Sequence, residues 1–180
     1  MEKAIEALRN GGIILYPTDT TWALGCDATN DAACAKLAAL TEKSEGMIVL
    51  ADGFPMIERY IPEFPEVCYD LVDFTTKPLT ILYPKAKDVS PQVIGADQSV
   101  GFRLTTDGTC LKLVRSIRRP LVATGIPTGK GYLSRTFDDV PDSIKDQVDA
   151  VVALRQNEKM KPLSQMIRIG LGGEVKVLRK

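Results

Sequence analysis

Ala4, Ile5 and Leu8 recur at helical spacing within residues 2–10, and Gly11 stands where such a helix would stop. An apolar run, 13–16, follows with the length and β-branched content of a buried strand. Pro17 lacks a backbone donor and is expected to end that strand's ladder. Thr18, Asp19, Thr20 and Thr21 come next. Small polar side chains at the mouth of a buried strand are costly unless something satisfies them. Ligands of α/β sheets sit at such strand ends. The same residue types also make Asx- and Ser/Thr-type turns. The residues alone leave both readings open.

Asn30 is placed to cap a helix over 31–41, with Ala33, Leu37 and Leu40 on one face. Residues 43–46 read as a turn and 47–51 as a second buried strand. Two short helices, 54–60 and 66–74, are separated by Pro62 and Pro65. Strands are expected at 77–84, entered through Pro78, and at 99–104, which carries Arg103. A helix over 107–118 turns Leu111, Val114 and Ile117 inward and gathers Arg115, Arg118 and Arg119 near its end. Then come a strand at 120–124, a glycine-rich loop at 125–135, a short acidic helix within 137–148 broken by Pro141, and a strand at 149–154. Segments 164–169 and 174–178 read as a closing strand pair. About seven strands interleaved with about five helices predict an α/β (α+β mixed) chain with a mixed sheet, as one layered domain over 1–180.

Charge adds little to this picture, because 23 Lys and Arg balance 23 Asp and Glu. No global nucleic-acid signature results, although a local basic face stays open. Histidine changes the picture more, because the chain has none. Ser-His-Asp and Cys-His catalysis within one chain are excluded, as are histidine-ligated zinc sites. Cys26, Cys34, Cys68 and Cys110 show no CxxC spacing and read as buried thiols of a reducing compartment. The first twelve residues hold Glu2, Lys3, Glu6 and Arg9 and no apolar core of a signal peptide. No apolar run reaches the ~18 residues of a membrane span. The chain reads as cytoplasmic.

Four segments, in order, carry a resemblance to a known family. They are Gly11 to Thr20 with Trp22 and Gly25–Ala28, then Lys77-Pro78-Leu79-Thr80, Val100-Gly101-Phe102-Arg103, and Lys161-Pro162-Leu163-Ser164. Together they resemble the YrdC/YciO family of threonylcarbamoyl-adenylate synthases and relatives, and the trailing Gly-Gly-Glu-Val-Lys-Val-Leu-Arg resembles its YciO branch. The resemblance implies a twisted open mixed sheet flanked by helices, with a concave, basic face. It implies carboxylation of the threonine amine with bicarbonate and attack of the carbamate on the α-phosphate of ATP. Pyrophosphate leaves, and the product goes on to modify an adenosine of tRNA. Family members also bind double-stranded RNA. ATP with Mg²⁺ is then a substrate, with no bound metal cofactor. Such chemistry calls for cations, hydroxyls and N–H groups to position and neutralise anions, and needs no histidine.

Carried over position by position, the resemblance places the amino acid at Thr18, Thr20, Trp22 and Ser164. It places the nucleotide at Lys43, Thr80, Arg103 and Thr124. It assigns no catalytic residue and no metal ligand. Trp22 stands where the family has tyrosine, with a ring suited to wall the pocket. Arg115, Arg118, Arg119, Lys130 and Arg135 are the candidates for RNA contact, and a solvated helix end is the bland reading of the same residues. This chain also departs from the family. Glu45 holds an arginine place, Ala123-Thr124-Gly125-Ile126-Pro127 stands where the family has a Ser-Ala-Asn segment, with a proline in the asparagine place, and Gln165 replaces a hydroxyl. A carboxylate beside a triphosphate repels it, and proline offers no side-chain hydrogen bond. The expectation is therefore weakened or altered catalysis. The alternative is a non-catalytic RNA- or nucleotide-binding protein that keeps only the pocket.

Overall fold

The computed structural model describes residues 1–41, 47–161 and 163–180. Its frame is one mixed sheet of nine strands, in the order β7-β1-β2-β6-β3-β5-β4-β8-β9. In chain order the strands are β1 (Ile14–Pro17), β2 (Trp22–Gly25), β3 (Ile48–Ala51), β4 (Leu79–Tyr83), β5 (Val100–Leu104), β6 (Leu121–Gly125), β7 (Ala150–Val151), β8 (Gln165–Ile169) and β9 (Val175–Arg179). The helices are α1 (Glu2–Arg9), α2 (Asp31–Thr41), α3 (Phe54–Tyr60), α4 (Val67–Asp73), α5 (Gly108–Ile117) and α6 (Asp142–Lys145), with a 3-10 turn at Pro91–Val93.

The apolar spacing of the sequence is realised in α1 and α2, which bury Ala4 and Leu8, and Ala33 and Leu37. In α5 Val114 is buried as expected, but Leu113 is buried in place of Leu111, which stays half-exposed. Asn30 Oδ1 accepts from Ala33 N at 3.0 Å and Asp107 Oδ1 accepts from Thr109 N and Cys110 N, so both helices begin on the side-chain caps their sequences offer. Gly11 follows α1 at φ +74°, a left-handed conformation that favours glycine.

Three further expectations needed correction. Residues 22–25, for which no element was expected, form β2, antiparallel to β1, whose ladder ends at Pro17 opposite Trp22. The predicted strand at 149–154 shrinks to β7, two residues parallel to β1. The acidic helix shrinks to α6, four residues after Pro141. Residues 43–46, read as a turn, lie outside the described residues, as do Lys43 and Glu45.

Strand alternation divides the sheet into two faces. On one, Val100 and Phe102 of β5 and Tyr83 of β4 pack under α3, where Tyr60 stacks 6.4 Å from Phe102. On the other, Gly101 and Arg103 of β5, Leu82 of β4, Ile48 of β3 and Ala123 of β6 line a cleft. Gly25 lets the sheet close tightly at β2. A Cβ there would meet the Tyr16 ring at 2.6 Å and Val122 O at 2.7 Å. The Tyr16 ring crosses at that point, and its hydroxyl donates to Val122 O at 2.8 Å.

Candidate functional site

The β1–β2 turn is built by one side chain. Thr18 Oγ1 accepts from the backbone N–H of Thr20 and Thr21, both at 3.1 Å, and donates to Thr21 O at 2.8 Å. This is the Ser/Thr turn that the residue types suggested. The turn is nonetheless a ligand-facing element, because Thr18, Thr20 and Thr21 all line the cleft, whose volume is about 730 Å³.

Across the cleft, Arg103 Nη1 donates to Thr20 Oγ1 at 3.2 Å and its Nη2 to Asp19 Oδ1 at 3.0 Å. β5 stands three strands from β2 in the sheet order, a separation of about 14 Å on a flat sheet. The sheet therefore curls, and the turn at one end of it closes over the middle. Arg103 is 3% exposed, and its Nε has no partner among the described residues.

A third wall comes from β8 and β9. Ser164, just before β8, shares a 2.9 Å hydrogen bond with Thr80 Oγ1. Arg179 of β9 donates from Nε to Ser164 O at 2.7 Å and from Nη2 to Ser164 Oγ at 3.2 Å. Burial, and then the nearby Arg103 guanidinium, pull the Arg179 pKa below its ordinary value. Further out, Arg168 of β8 pairs with Asp97, and both line the cleft. Asp97 is organised by Ser99, whose N–H and hydroxyl donate at 3.0 and 2.6 Å and hold the carboxyl below its usual range.

Arg179 was not singled out from the sequence, and the reason is geometric. Met166 pairs with Arg179, but Ile167 pairs with Val177, so Leu178 is an extra residue on β9. Strict alternation would put Arg179 on the face of Val175 and Val177. The bulge at Leu178 shifts the alternation by one and turns Arg179 to the cleft face with Met166. No signal in an isolated sequence marks this. The offset of four between Ser164 and Arg168 was legible, and both line the cleft.

Other sequence candidates are placed elsewhere. Trp22 does not wall the cleft. It is fully buried on the far face of β2, edge-on to Phe137 at 5.0 Å, with its indole N–H unpartnered among the described residues. Thr124 also faces away, because it is in register with Leu24 while Ala123 and Gly125 take the cleft side. Its hydroxyl is likewise buried without a described partner. Thr80 is wholly buried and reaches the cleft only through Ser164. Pro127 lines the cleft where the resemblance called for an asparagine. Gln165 turns its side-chain oxygen to Thr75 Oγ1 at 3.2 Å.

The RNA candidates do not form one group. Arg135 is committed internally, donating from Nε to Met160 O at 3.0 Å. Arg115 sits 3.6 Å from Asp52 on α5, Arg118 and Arg119 follow that helix's end, and Lys130 lies on the exposed 125–135 loop. α5 packs on α1 and β3.

A curled mixed sheet thus gathers Arg103, Arg168 and Arg179 with the hydroxyls of Thr18, Thr20 and Ser164 in one cleft. The chain belongs to the Sua5/YciO/YrdC family: the family model, described as "Telomere recombination", matches residues 6–180. It is 30% identical over 152 residues to a threonylcarbamoyl-AMP synthase of Pseudomonas aeruginosa (strain UCBPP-PA14), covering 83% of this chain and 82% of that one. Its fold is similar to that of E. coli YciO, with a TM-score of 0.81 at 20% identity over 99% of this chain and 87% of that chain. It is also similar to P. abyssi Sua5 complexed with L-threonine, with a TM-score of 0.79 at 20% identity over 92% of this chain. There the chain spans about half of its neighbour, 49%. Among the described residues, no helix is long and apolar enough to cross a membrane.

Proposed function

We propose that the cleft binds threonine and ATP and that the chain forms threonylcarbamoyl-AMP, at a rate weakened by its altered site. The observation that carries this reading is the pair Arg103 and Arg179, two guanidinium groups that line one cleft from the same cross-strand row. Like charges held together in a cleft are relieved by an anion between them. Beside them stand the hydroxyls of Thr20 and Ser164, of a size and polarity that suit a small hydroxy amino acid. The similarity to a threonylcarbamoyl-AMP synthase supports the choice of substrates.

In this reading the threonine carbamate lies against Thr20 and Ser164. Its oxygen attacks the α-phosphorus of ATP, the bond to the β-phosphate oxygen breaks, and pyrophosphate leaves. Arg103 and Arg179 neutralise the charge that builds on the α-phosphate. Magnesium enters with the phosphates. Asp19 and Asp97 are each paired with an arginine, so magnesium would compete with a guanidinium for these carboxylates. Pro127 at the cleft wall supplies no side-chain hydrogen bond, and this loss supports a reduced rate.

Pyrophosphate release that requires both threonine and bicarbonate is the expected result with pure protein. Binding of ATP and threonine without turnover would reduce the function to that of a nucleotide-binding protein. Double-stranded RNA binding is a second reading, favoured by Arg115, Arg118 and Arg119 at the end of α5. Affinity for a duplex RNA should then fall steeply with salt, and a flat dependence would exclude phosphate contacts.

A further inference from the structure

The cleft holds a second anchor outside the one already used. Two rows of residues cross β5, β4, β8 and β9 in register. The inner row is Arg103, Thr80, Met166 and Arg179, and the outer row is Gly101, Leu82, Arg168 and Lys176. The rows lie two residues apart along β5, β4 and β8, about 6.6 Å, and three apart on β9, where the bulge adds Leu178. Gly101 keeps the floor between them low, since a Cβ there would lie 3.0 Å from Leu82 Cδ2.

The outer row is built for an anion it does not fully answer itself. Arg168 and Lys176 are in register on one face of their strands, and Arg168 pairs with Asp97. Arg168 gives Nη2 to Asp97, while its Nε is buried without a partner among the described residues. Ser99 holds Asp97 Oδ1 with both its donors, while Arg168 takes Oδ2, and because the Asp97 side chain is exposed, water can replace the guanidinium at Oδ2.

We propose that Arg168 is the specificity-determining residue that reads the polyphosphate tail of the nucleotide and separates nucleoside triphosphates from monophosphates. The inference rests on the functional reading above. If the amino acid occupies the inner row, the α-phosphate must lie beside it at Arg103 and Arg179. The leaving pyrophosphate then departs in line, away from the attacking oxygen and along the cleft to the outer row. There Arg168 exchanges the Asp97 carboxylate for phosphate oxygens, and Nε gains its missing acceptor. Asp97 competes with the ligand and sets how tightly the tail is held.

Calorimetric titration of the full chain with AMP, ATP and inorganic tripolyphosphate tests this. Arg168→Gln should lower affinity for ATP and tripolyphosphate about 10- to 100-fold, the scale of one charge-assisted contact, and leave AMP within about 2-fold. Arg168→Lys should restore part of the loss, since it keeps the charge but not the fork. Asp97→Asn should tighten tripolyphosphate. Thermal melts of each variant report whether it folds. Equal loss for AMP and ATP in Arg168→Gln, or no loss in either, overturns the role of Arg168 and leaves the functional reading standing. A wild-type chain that binds none of the three probes overturns both.

Discussion

Replacing Arg103 with methionine separates what this residue does for the fold from what it does for the ligand. The side chain is 3% exposed and its partner Asp19 20%, at 3.0 Å. Removing one member of a buried pair costs about 3–5 kcal/mol, because the other is left uncompensated. Three features place this site at the low end. Solvent reaches Asp19, the unpartnered Arg103 Nε already carries a desolvation penalty that the substitution abolishes, and Arg179 loses a like-charged neighbour. We expect Arg103→Met to cost about 3 kcal/mol, a fall in Tm of roughly 6–12 °C for a chain of this size. Adding Asp19→Asn removes the stranded carboxylate. The double variant should be more stable than the sum of the single changes by about 2 kcal/mol, within the range for residues in contact. Urea unfolding of the four proteins at neutral pH reads this coupling, and calorimetry with ATP reads binding. The double variant should regain stability but not ATP affinity. Additivity within about 0.5 kcal/mol would refute the coupled pair. Wild-type ATP affinity in the double variant would remove Arg103 from the ligand site.

Three further outcomes follow from the geometry. Deleting Leu178 removes the extra residue and leaves Arg179 next to Val177 in strict alternation, still opposite Met166 and on the cleft face; ATP affinity should then stay near wild type where Arg179→Ala loses it, and a loss as large as in Arg179→Ala would refute Leu178 as the extra residue. Gly25→Ala forces a Cβ against the Tyr16 ring and the Val122 carbonyl, so chemical denaturation should show a loss of about 2–3 kcal/mol. Backbone N–H groups of Thr136 and Arg135 hold the Asp139 carboxyl below its usual range. A depressed folded pKa gives stability that is present above the unfolded value, near 4, and is lost as pH falls through the folded value. Asp139→Asn should therefore lower neutral stability toward its acid value and so flatten the acid limb of a stability–pH curve below about pH 4; an unaltered limb would count against those bonds.

By itself the sequence determined most of the elements and one side of the cleft. Periodicity placed α2 at 31–41 and α3 at 54–60, because their buried faces repeat at the helical period. The polar cluster after the first strand marked the turn, because Thr18, Asp19 and Thr20 are residue types that make Asx and Ser/Thr turns at a strand's end. Arg103 was legible for the same reason, a cation inside a strand. Tertiary structure decided which of these meet. The hydroxyl of Thr20 and the guanidinium of Arg103 are brought together across 83 positions by the curl of the sheet, which no local pattern encodes. Trp22 and Thr124 turned away from the cleft because a strand's alternation, once its register is set by neighbours, leaves each side chain one face only. Arg179 turned toward it because a single extra residue reverses that alternation. Residue type and spacing thus specify the parts. Register, curl and a bulge are properties of strands in contact, and they decide which parts form the site.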